Sequence, residues 1–492
     1  MSGGWTPVSS VADRPDADRE RRTAGFGAAE LAAVVGGRLL RGTDRLIHGA
    51  AVDSRRIALD QAFVALPGER TDGHRFLLEA GAAGAAALIV TEPPSAAESE
   101  ELAASDVAVI AVGDGIAALA AMAANWRDRF APLMVAVTGS YAKTSTKEAA
   151  ATVLAARLRT LRSEGNENNE IGLPLTLLRL GPEHEAAVVE MGMYVAGDIA
   201  ALAALAMPSV GVVTAVSGVH LERAGSLAVI KLEKGRLVEA LPPGGTAVLN
   251  ADDPSVRRMA ERTRARVLTY GFAPDADVHA VETISLGAEG MRFLLRTPAG
   301  EARVETPALG RLGIHNALAA AAVGHAAGFD AITIGAALAV GFSAPHRTTM
   351  IEAGTWRILD DSYNASPDSM VAVLDLLASL PGRRVAVLGE MRELGPEAPE
   401  GHRRVGRHAA EVAQLLVAVG IGGALIAEGA RRAGRSGLEV LEAPDAEAAL
   451  DLLRPRLQPG DTILIKGSRA VELERLIPPL VMLGRTSSEG EA

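Results

Sequence analysis

The chain has 492 residues, of which 48% are hydrophobic and 22% charged, and its net charge is −11 at pH 7. This composition excludes a disordered chain and is typical of about three or four globular domains of roughly 150 residues each. The acidic balance and the 3% aromatic content argue against a nucleic-acid-binding surface, which needs basic stripes and stacking rings.

The chain contains no cysteine, which excludes disulfides, thiolate metal sites and thiol nucleophiles and is consistent with a reducing compartment. No apolar run reaches the roughly 18 residues that a membrane helix needs, and no secretory signal is visible. We therefore expect a cytoplasmic protein with no membrane association, and we expect it to be a monomer.

The predicted elements begin after residues 1–26, which are polar and rich in Pro, Asp and Arg and are interpreted as a flexible tail. From about residue 27, β-branched runs alternate with alanine-rich helical stretches, a pattern typical of βαβ units and of parallel sheets covered on both faces. The clearest predicted strands, in chain order, are 86–90, 107–112, 133–139, 186–192, 210–216, 245–250, 356–361, 383–390, 415–420 and 461–467.

One segment departs from this pattern. Residues 264–306 alternate with period two around glycine turns, which predicts a small antiparallel insertion. The segments NWRDRFAPL (125–133) and VGFSAPHRTTMIEAG (340–354) place domain boundaries near residues 130 and 344. The prediction is a three-domain α/β protein with a tail at 1–26, an N-terminal domain at 27–130, a central domain at 131–344 and a C-terminal domain at 345–492.

The central domain opens with VAVTGSYAKTSTKEA, residues 135–149, which predicts a buried strand, a tight turn and a helix. Such a turn offers backbone N–H groups and the positive end of a helix to an anion. The strict phosphate-loop pattern G-x-x-x-x-G-K-[ST] is incomplete, because Val137 and Ala142 replace its two glycines. Alanine can adopt helical dihedral angles, so the loop would keep its shape if Ala142 already belonged to the start of the helix. The alternative is an ordinary strand-to-helix turn capped by Ser or Thr.

If the loop binds a nucleotide, Lys143 would bridge the β- and γ-phosphates and the Thr144 hydroxyl would hold Mg²⁺. Glu190 ends the predicted strand 186–192, at the sheet edge where a second Mg²⁺ ligand would lie. His220 follows another strand end, although a lone histidine is more often structural. The predicted nucleotide-binding residues of the loop are Gly139, Ser140, Ala142, Lys143, Thr144 and Ser145.

These segments, in this order, resemble the Mur ligases, the ATP-dependent amide-forming enzymes of peptidoglycan precursor synthesis, over residues 27–480. AVDSRR (51–56) and residues 62–90 are similar to the family's uridine-nucleotide-binding domain. The resemblance implies that Ser54, Arg55 and the loop Gly68–His74 lie near a UDP group. SEGNENNEIGLP (163–174) resembles the family's asparagine-rich segment, which implies that Asn168 and Asn169 contact phosphates or the sugar-peptide substrate.

The segment IKLEKGRLVEALP (230–242) is similar to the one in which family members carry a carbamoylated lysine. The resemblance places that lysine at Lys234, with Lys231 as the fallback, and a carbamate is an oxygen donor of the type that Mg²⁺ prefers. It implies two Mg²⁺ sites formed by Thr144, Glu190, His220 and Lys234. The implied catalytic residues are Lys143, His220 and Lys234.

The remaining similarities lie at the end of the central domain and in the C-terminal domain. GRLGIHNALAAAA (310–322) implies that Asn316 contacts adenine, and PHR (345–347) implies that Arg347 contacts ATP. Asp360 or Asp361 would bind the ribose hydroxyls, and the choice between them stays open. The patterns YNA-x-P-x-SM and KGSR are typical of the family branch that adds D-alanyl-D-alanine. They imply substrate contacts by Tyr363, Asn364, Lys466, Ser468 and Arg469.

The resemblance implies an ATP-dependent ligase that acts on small molecules through an acyl phosphate, with ATP and Mg²⁺ as cofactors and no nucleic-acid partner. Three alternatives remain open: a ligase of the same fold acting on another carboxylate and amine, a nucleotide-binding paralogue without catalysis, and a generic phosphate-loop ATPase. Tyr194, Ala215 and Ser366 motivate the first alternative, because each stands where the family commonly has another residue, and Ala142 motivates the second.

Overall fold

The computed structural model describes residues 25–68, 71–218 and 221–489. Within these residues the chain forms three sheets, of five, nine and six strands, in chain order. The predicted tail lies outside the described residues except for Gly25 and Phe26. Phe26 is fully buried, forms a bridge with Ile47 and packs 5.5 Å from the Trp126 ring, so it belongs to the folded part of the chain.

The first sheet has the strand order β1-β5-β4-β3-β2, with β1 antiparallel to β5 and the other pairs parallel. Its central strands are continuous apolar runs with both faces covered, as expected for parallel strands. Its strands are β1 (Arg38–Arg41), β2 (Ala50–Ala51), β3 (Ala62–Val64), β4 (Ala87–Val90) and β5 (Ala108–Ala111). Its helices are α1 (Ala28–Val34), α2 (Leu77–Ala82), α3 (Ala96–Leu102) and α4 (Gly115–Arg127).

The second sheet has the order β14-β13-β12-β11-β10-β9-β6-β8-β7. Its strands are β6 (Leu133–Thr138), β7 (Thr160–Arg162), β8 (Ala186–Glu190), β9 (Val210–Val213), β10 (Thr246–Asn250), β11 (Arg266–Gly271), β12 (Val278–Ser285), β13 (Met291–Thr297) and β14 (Gly300–Thr306). Its helices are α5 (Lys143–Ala155), α6 (Gly172–Leu177), α7 (Asp198–Ala206), α8 (Leu221–Ala224), α9 (Leu227–Glu239), α10 (Pro254–Arg257), α11 (Gly310–Ala326) and α12 (Ala331–Val340).

The antiparallel insertion predicted at 264–306 is wrong in part. Strand β11 pairs in parallel with β10 along its first five residues, and β12 starts parallel to β11. Only β12, β13 and β14 pair antiparallel, and they extend the central sheet instead of forming a separate unit. The period-two pattern reports one covered and one exposed face, which these edge strands have in either strand direction.

The third sheet has the order β15-β16-β20-β17-β18-β19, with β15 antiparallel at one edge. Its strands are β15 (Thr349–Ala353), β16 (Trp356–Asp360), β17 (Arg384–Gly389), β18 (Leu415–Val419), β19 (Glu439–Ala443) and β20 (Thr462–Lys466). Its helices are α13 (Pro367–Ser379), α14 (Ala398–Val412), α15 (Gly423–Arg432), α16 (Ala446–Leu453) and α17 (Ile477–Glu489). The three sheets give the predicted α/β architecture.

The second and third sheets meet near α8. The N–H of Glu222 donates to the carbonyl of Glu393 (3.4 Å), and Arg223 lies 4.0 Å from the Glu393 carboxylate. Within the described residues, no helix combines the length and apolarity that crossing a bilayer would require.

Candidate active site

The site lies where β6 ends between its neighbours β8 and β9. Strand β6 pairs in parallel with both, so the carboxyl ends of all three strands open at one edge of the sheet. The chain leaves β6 through residues 139–142 and enters α5 at Lys143. Open parallel sheets bind ligands in such a crevice, and the exposed N–H groups of α5 face it.

Gly139 is required by the close approach of β9. Its φ is +154°, and a Cβ atom at this position would lie 1.8 Å from Oγ1 of Thr214. That hydroxyl donates to the carbonyl of Tyr141 (2.6 Å), and the N–H of Ser140 donates to the carbonyl of Ala215 (2.8 Å). These two hydrogen bonds hold the loop against the residues that follow β9.

Ala142 does not belong to the start of the helix. Ala142 has φ +64° and ψ +2°, in the left-handed region, and precedes the first helical residue. The chain reverses from strand to helix through this residue, and only glycine takes that conformation without crowding of Cβ. The loop keeps its path and carries the strain of one methyl group.

Replacing Ala142 by glycine should therefore raise the free energy of unfolding by about 1 kcal/mol, because the left-handed conformation costs an L-residue roughly that much. Chemical denaturation measures the change. The matched control is Ala155→Gly at the exposed end of α5, which should lower stability by up to about 1 kcal/mol because glycine is a poor helix former. A lower free energy of unfolding in Ala142→Gly would contradict the conclusion that the backbone at Ala142 is strained.

Three basic side chains act on one another at the loop. Nζ of Lys143 donates to the carbonyl of Gly139 (3.0 Å). Desolvation, together with the charge of Arg347, lowers the pKa of Lys143 against the opposing effect of Glu190. Lys234, on α9, is 2% exposed, and burial and then the charge of Lys143 hold its pKa well below the usual value, which favours its neutral form. Lys143 and Arg347 therefore supply the positive charge that favours a polyanion here.

The carboxylate of Glu190 links the loop to the asparagine-rich segment. Oγ1 of Thr144 donates to Oε2 of Glu190 (2.8 Å), and the Asn168 amide donates to Oε1 (2.8 Å). The N–H of Glu190 donates to Oγ of Ser163 (3.2 Å). Thr144 and Glu190 are thus brought together as predicted, whereas His220 lies outside the described residues. Within the described ranges, no three His, Asp or Glu side chains form a metal-binding group.

Two adjoining cavities run from the loop toward the third sheet. The smaller, of about 100 Å³, is lined by the loop and by Asp361, Tyr363, Asn364 and Lys466. The larger, of about 400 Å³, is mostly apolar and includes Asn316. Both are lined by Ser145, Arg347 and Thr348, so the two cavities adjoin at these residues. A third cavity of about 660 Å³ between α7 and α9 contains none of the predicted site residues.

Comparison with known families matches three parts of the chain. Residues 46–127 match the Mur ligase family catalytic domain, residues 137–324 the Mur ligase middle domain and residues 346–469 the glutamate ligase domain of Mur ligases. A relative from Escherichia coli (strain K12), called UDP-N-acetylmuramoyl-tripeptide--D-alanyl-D-alanine ligase, is 36% identical over 92% of this chain and 97% of its own length. The chain belongs to the Mur ligase family.

Other Mur ligases agree with this assignment. A relative from Mycobacterium tuberculosis (strain H37Rv), with the same name as the Escherichia coli protein, is 37% identical over 92% of this chain and 97% of its own length. The crystal structure of MurF from Acinetobacter baumannii has a TM-score of 0.84 at 29% identity and covers 93% of this chain and 99% of its own. MurF from Thermotoga maritima, solved in complex with ADP, has a TM-score of 0.78 at 27% identity and covers 91% of this chain and 100% of its own.

The aspartates of this Mur ligase are held by neighbouring residues. Asp360 accepts from Nδ1 of His346 (2.8 Å) and from Ser362. Asp361 accepts from the N–H of Thr348 (2.9 Å) and from Nζ of Lys466 (2.5 Å), and only Asp361 lines the smaller cavity.

The other predicted C-terminal residues divide between the cavity and the interior. The Tyr363 ring centroid lies 4.2 Å from Cζ of Arg347 and 5.7 Å from Cζ of Arg469. Asn364 lines the smaller cavity. Lys466 also donates to the carbonyl of Asn364 (2.8 Å), and Ser468 is buried and accepts from the N–H of Arg392 (2.9 Å). Lys466 and Ser468 therefore shape this edge of the sheet.

Asn169 and Asn316, which were predicted to contact ligands, have hydrogen-bond partners within the protein. Oδ1 of Asn169 accepts from the N–H of Gly172 (2.9 Å) at the start of α6. Oδ1 of Asn316 accepts from Oγ1 of Thr146 (3.2 Å), and the residue is 5% exposed where it lines the larger cavity.

The predicted uridine-site residues lie beside the first sheet. Ser54 is buried and donates to Glu79 (3.0 Å), whereas the side chain of Arg55 is 81% exposed and pairs with Asp53 (2.8 Å). In the Gly68–His74 loop, residues 69 and 70 lie outside the described residues. His74 is fixed there by Asp72 (2.7 Å) and by the N–H of Thr91 (3.0 Å).

Two residues that shape the site were missed from the sequence. Thr214 holds the loop through its hydrogen bond to the carbonyl of Tyr141. Its position at the end of a predicted strand was the feature of the sequence that could have indicated this role. Lys147, one turn after Lys143, is fully buried and donates to the carbonyl of Ser163 (2.7 Å), which anchors the segment that leads to Asn168. A lysine on an amphipathic helix normally indicates a solvated face, so its burial was not predictable.

Proposed function

We propose that this Mur ligase joins D-alanyl-D-alanine to UDP-N-acetylmuramoyl-tripeptide, with conversion of ATP to ADP and phosphate, in the synthesis of peptidoglycan precursors. The observation that carries the proposal is the convergence of Lys143, Lys234 and Arg347 on the loop at the end of β6, beside the Thr144–Glu190 pair. The names of the relatives at 36–37% identity support the choice of substrates.

The site supplies what amide synthesis from a carboxylate requires. A carboxylate does not react with an amine because its leaving group would be oxide. Its oxygen therefore attacks the γ-phosphorus of ATP, ADP leaves, and an acyl phosphate forms. Lys143 and Arg347 stabilise the charge that develops on the transferred group. The amine then attacks the acyl carbon, and phosphate and one proton are released as the amide forms.

The residues beside the loop fit magnesium. Oγ1 of Thr144 and Oε2 of Glu190 lie 2.8 Å apart, and both are hard oxygen donors of the kind that Mg²⁺ prefers. Bound there, Mg²⁺ would neutralise phosphate charge and polarise the phosphoryl oxygens. The second site that the family resemblance implies would use His220 and carbamoylated Lys234.

Burial makes Lys234 suitable for carbamoylation. An amine reacts with CO₂ only when it is neutral, and desolvation shifts Lys234 toward the neutral form. The carbamate would replace a buried amine by a carboxylate-like anion beside Lys143 and would so balance the charge of that lysine. The neighbouring Lys231 is partly exposed on the same helix and lacks this environment.

The two adjoining cavities suit the two ends of ATP. The triphosphate would occupy the smaller cavity at Ser140–Ser145, and the nucleoside the larger, with adenine near Asn316. Asp361, which lines the smaller cavity, is the better placed of the two aspartates for a ribose hydroxyl. The UDP group would lie on the first sheet near Ser54 and Arg55, and the dipeptide near Tyr363, Asn364 and Arg469. The enzyme would act as a cytoplasmic monomer.

Phosphate release tests the proposal directly. The purified chain should release phosphate from ATP when UDP-N-acetylmuramoyl-tripeptide and D-alanyl-D-alanine are both present, and only slowly when either is omitted. The dependence on both arises because closure of the C-terminal domain would exclude water from the acyl phosphate. Rapid ATP hydrolysis without an acceptor would contradict closure, and no turnover with this pair would contradict the substrates.

One observation favours a second candidate, a ligase of the same fold that uses another carboxylate and amine. Tyr194 stands where members of the D-alanyl-D-alanine-adding branch often have asparagine or another polar residue. Tyr194 is 38% exposed, and its ring centroid lies 5.5 Å from Cζ of Arg223, near the third sheet. Turnover with other amino-acid pairs but not with D-alanyl-D-alanine would support this candidate.

A further inference from the structure

The residue on each side of Arg347 has a left-handed backbone conformation. His346 has φ +60° and Thr348 has φ +48°. Neither is glycine, and a β-branched residue such as Thr348 rarely adopts a positive φ because its Cβ crowds the backbone. Such conformations persist only where surrounding contacts hold them, and they cluster at functional sites.

Two adjacent aspartates at the end of β16 supply these contacts. Nδ1 of His346 donates to Oδ2 of Asp360 (2.8 Å), and Asp360 is only 3% exposed. The N–H of Thr348 donates to Oδ1 of Asp361 (2.9 Å), whose other oxygen accepts from Lys466 on β20 (2.5 Å). The backbone on both sides of Arg347 is therefore fastened to the third sheet.

His346 also completes a tight turn. The N–H of Arg347 donates to the carbonyl of Ala344 (3.2 Å), which places Pro345 and His346 at the two central positions. This sequence fits a type II turn, in which proline is favoured at the first central position and a positive φ, usually of glycine, is needed at the second. The carbonyl of His346 accepts from the N–H of Tyr363 (3.1 Å), and the guanidinium of Arg347 lies 4.2 Å from the Tyr363 ring.

We propose that His346, held by Asp360, is a positioning residue that makes Arg347 part of the C-terminal domain. The inference rests on the proposed function. Residues 344–348 then move with the third sheet, and the hinge between the central and C-terminal domains lies at 341–343, where Gly341 has φ +89°. Arg347 reaches the phosphates fully only when the C-terminal domain closes, which couples charge stabilisation to the exclusion of water.

The test begins with His346→Gly, which keeps a positive φ accessible and removes the bond to Asp360. The kcat of the two-substrate reaction should fall about 10-fold or more, since misplacement by about 1 Å is costly. The Kd for ADP should change much less than kcat, because the loop at 139–144, which would hold the phosphates, belongs to the central domain. His346→Asn should restore most of the rate, since asparagine tolerates the left-handed region and carries an amide donor. Glu282→Gly likewise places glycine at a positive φ, in β12 and away from the site, and is the matched control, with an unchanged kcat.

A double-mutant cycle with Arg347→Ala decides whether His346 acts through the arginine. The variant with both changes should be no slower than Arg347→Ala alone. Losses that multiply, or an unchanged kcat in His346→Gly, would overturn the inference while the wild-type activity keeps the proposed function intact.

Hydrogen exchange provides a readout that needs no substrate. The amides of residues 344 and 346–348 should exchange faster in His346→Gly than in the wild type or in His346→Asn. Equal exchange in all three would overturn the inference, even if the wild type failed to use D-alanyl-D-alanine and the proposed function were lost.

Discussion

Replacing Lys143 by methionine should lower kcat of the two-substrate reaction by roughly 10³-fold, because removal of one preorganised charge stabiliser costs about that much. The ammonium of Lys143 lies at the loop, where Nζ donates to the carbonyl of Gly139. Methionine retains an unbranched apolar side chain. The substitution removes the hydrogen bond to Gly139, and it also removes the desolvation cost that lowers the pKa of Lys143, so the two effects on stability oppose each other. We therefore expect little change in the melting temperature, and phosphate release together with thermal denaturation measures both effects.

The matched control for Lys143 is Lys231→Met, which removes a partly exposed lysine of the central domain and should leave kcat unchanged. A Lys143→Met variant that keeps more than a tenth of the wild-type rate would place the phosphates elsewhere. If the wild type has measurable activity and Lys143→Met has lost it, the protein is an enzyme. That result would exclude the alternative that Ala142 motivated, a nucleotide-binding paralogue without catalysis.

Replacing Lys234 by methionine should make the protein more stable and much less active. Burial holds the pKa of Lys234 well below its usual value, so the unfolded chain binds a proton that the folded chain does not. Stability of the unmodified wild type therefore rises with pH between the folded-state pKa and the unfolded value of about 10.4. Methionine removes that slope and raises the melting temperature at neutral pH. The loss of the carbamate should lower kcat by about 10²–10³-fold.

Carbon-13 NMR with labelled bicarbonate tests the modification itself. A carbamate signal should be present in the wild type and in Lys231→Met and absent from Lys234→Met. A signal that disappears in Lys231→Met instead would move the modification to that residue. A lower melting temperature in Lys234→Met than in the wild type would contradict the conclusion that burial of the Lys234 amine destabilises the folded protein.

The ten clearest strands could be predicted because most of them are continuous apolar runs in parallel sheets with both faces covered. The run at 133–139, for example, corresponds to Leu133–Thr138. The edge strand β19 (Glu439–Ala443) was not visible, because only its last residue is buried and it contains two glutamates. Its pairing with β18 depends on a neighbour more than 20 residues away.

The site was predictable where it follows from sheet topology. Thr144 and Glu190 meet because β6 and β8 are parallel neighbours, so their carboxyl ends share one edge. The left-handed conformation of Ala142 was not predictable, because the intrinsic preference of alanine is helical and the path of the backbone overrides it. The bonds of Asp360 to His346 and of Asp361 to Lys466 join distant parts of the chain, and no local pattern reports them.

The contact between Gly139 and Thr214 limits how the phosphate loop can diverge. Any larger residue at 139 collides with the threonine hydroxyl, and the same hydroxyl donates to the carbonyl of Tyr141. A smaller residue at 214 would not rescue a substitution at 139, because the φ of +154° and the nearby backbone N atom of Ala215 remain. Among natural variants of this enzyme, position 139 should therefore stay glycine, and directed evolution of the loop should leave its codon unchanged.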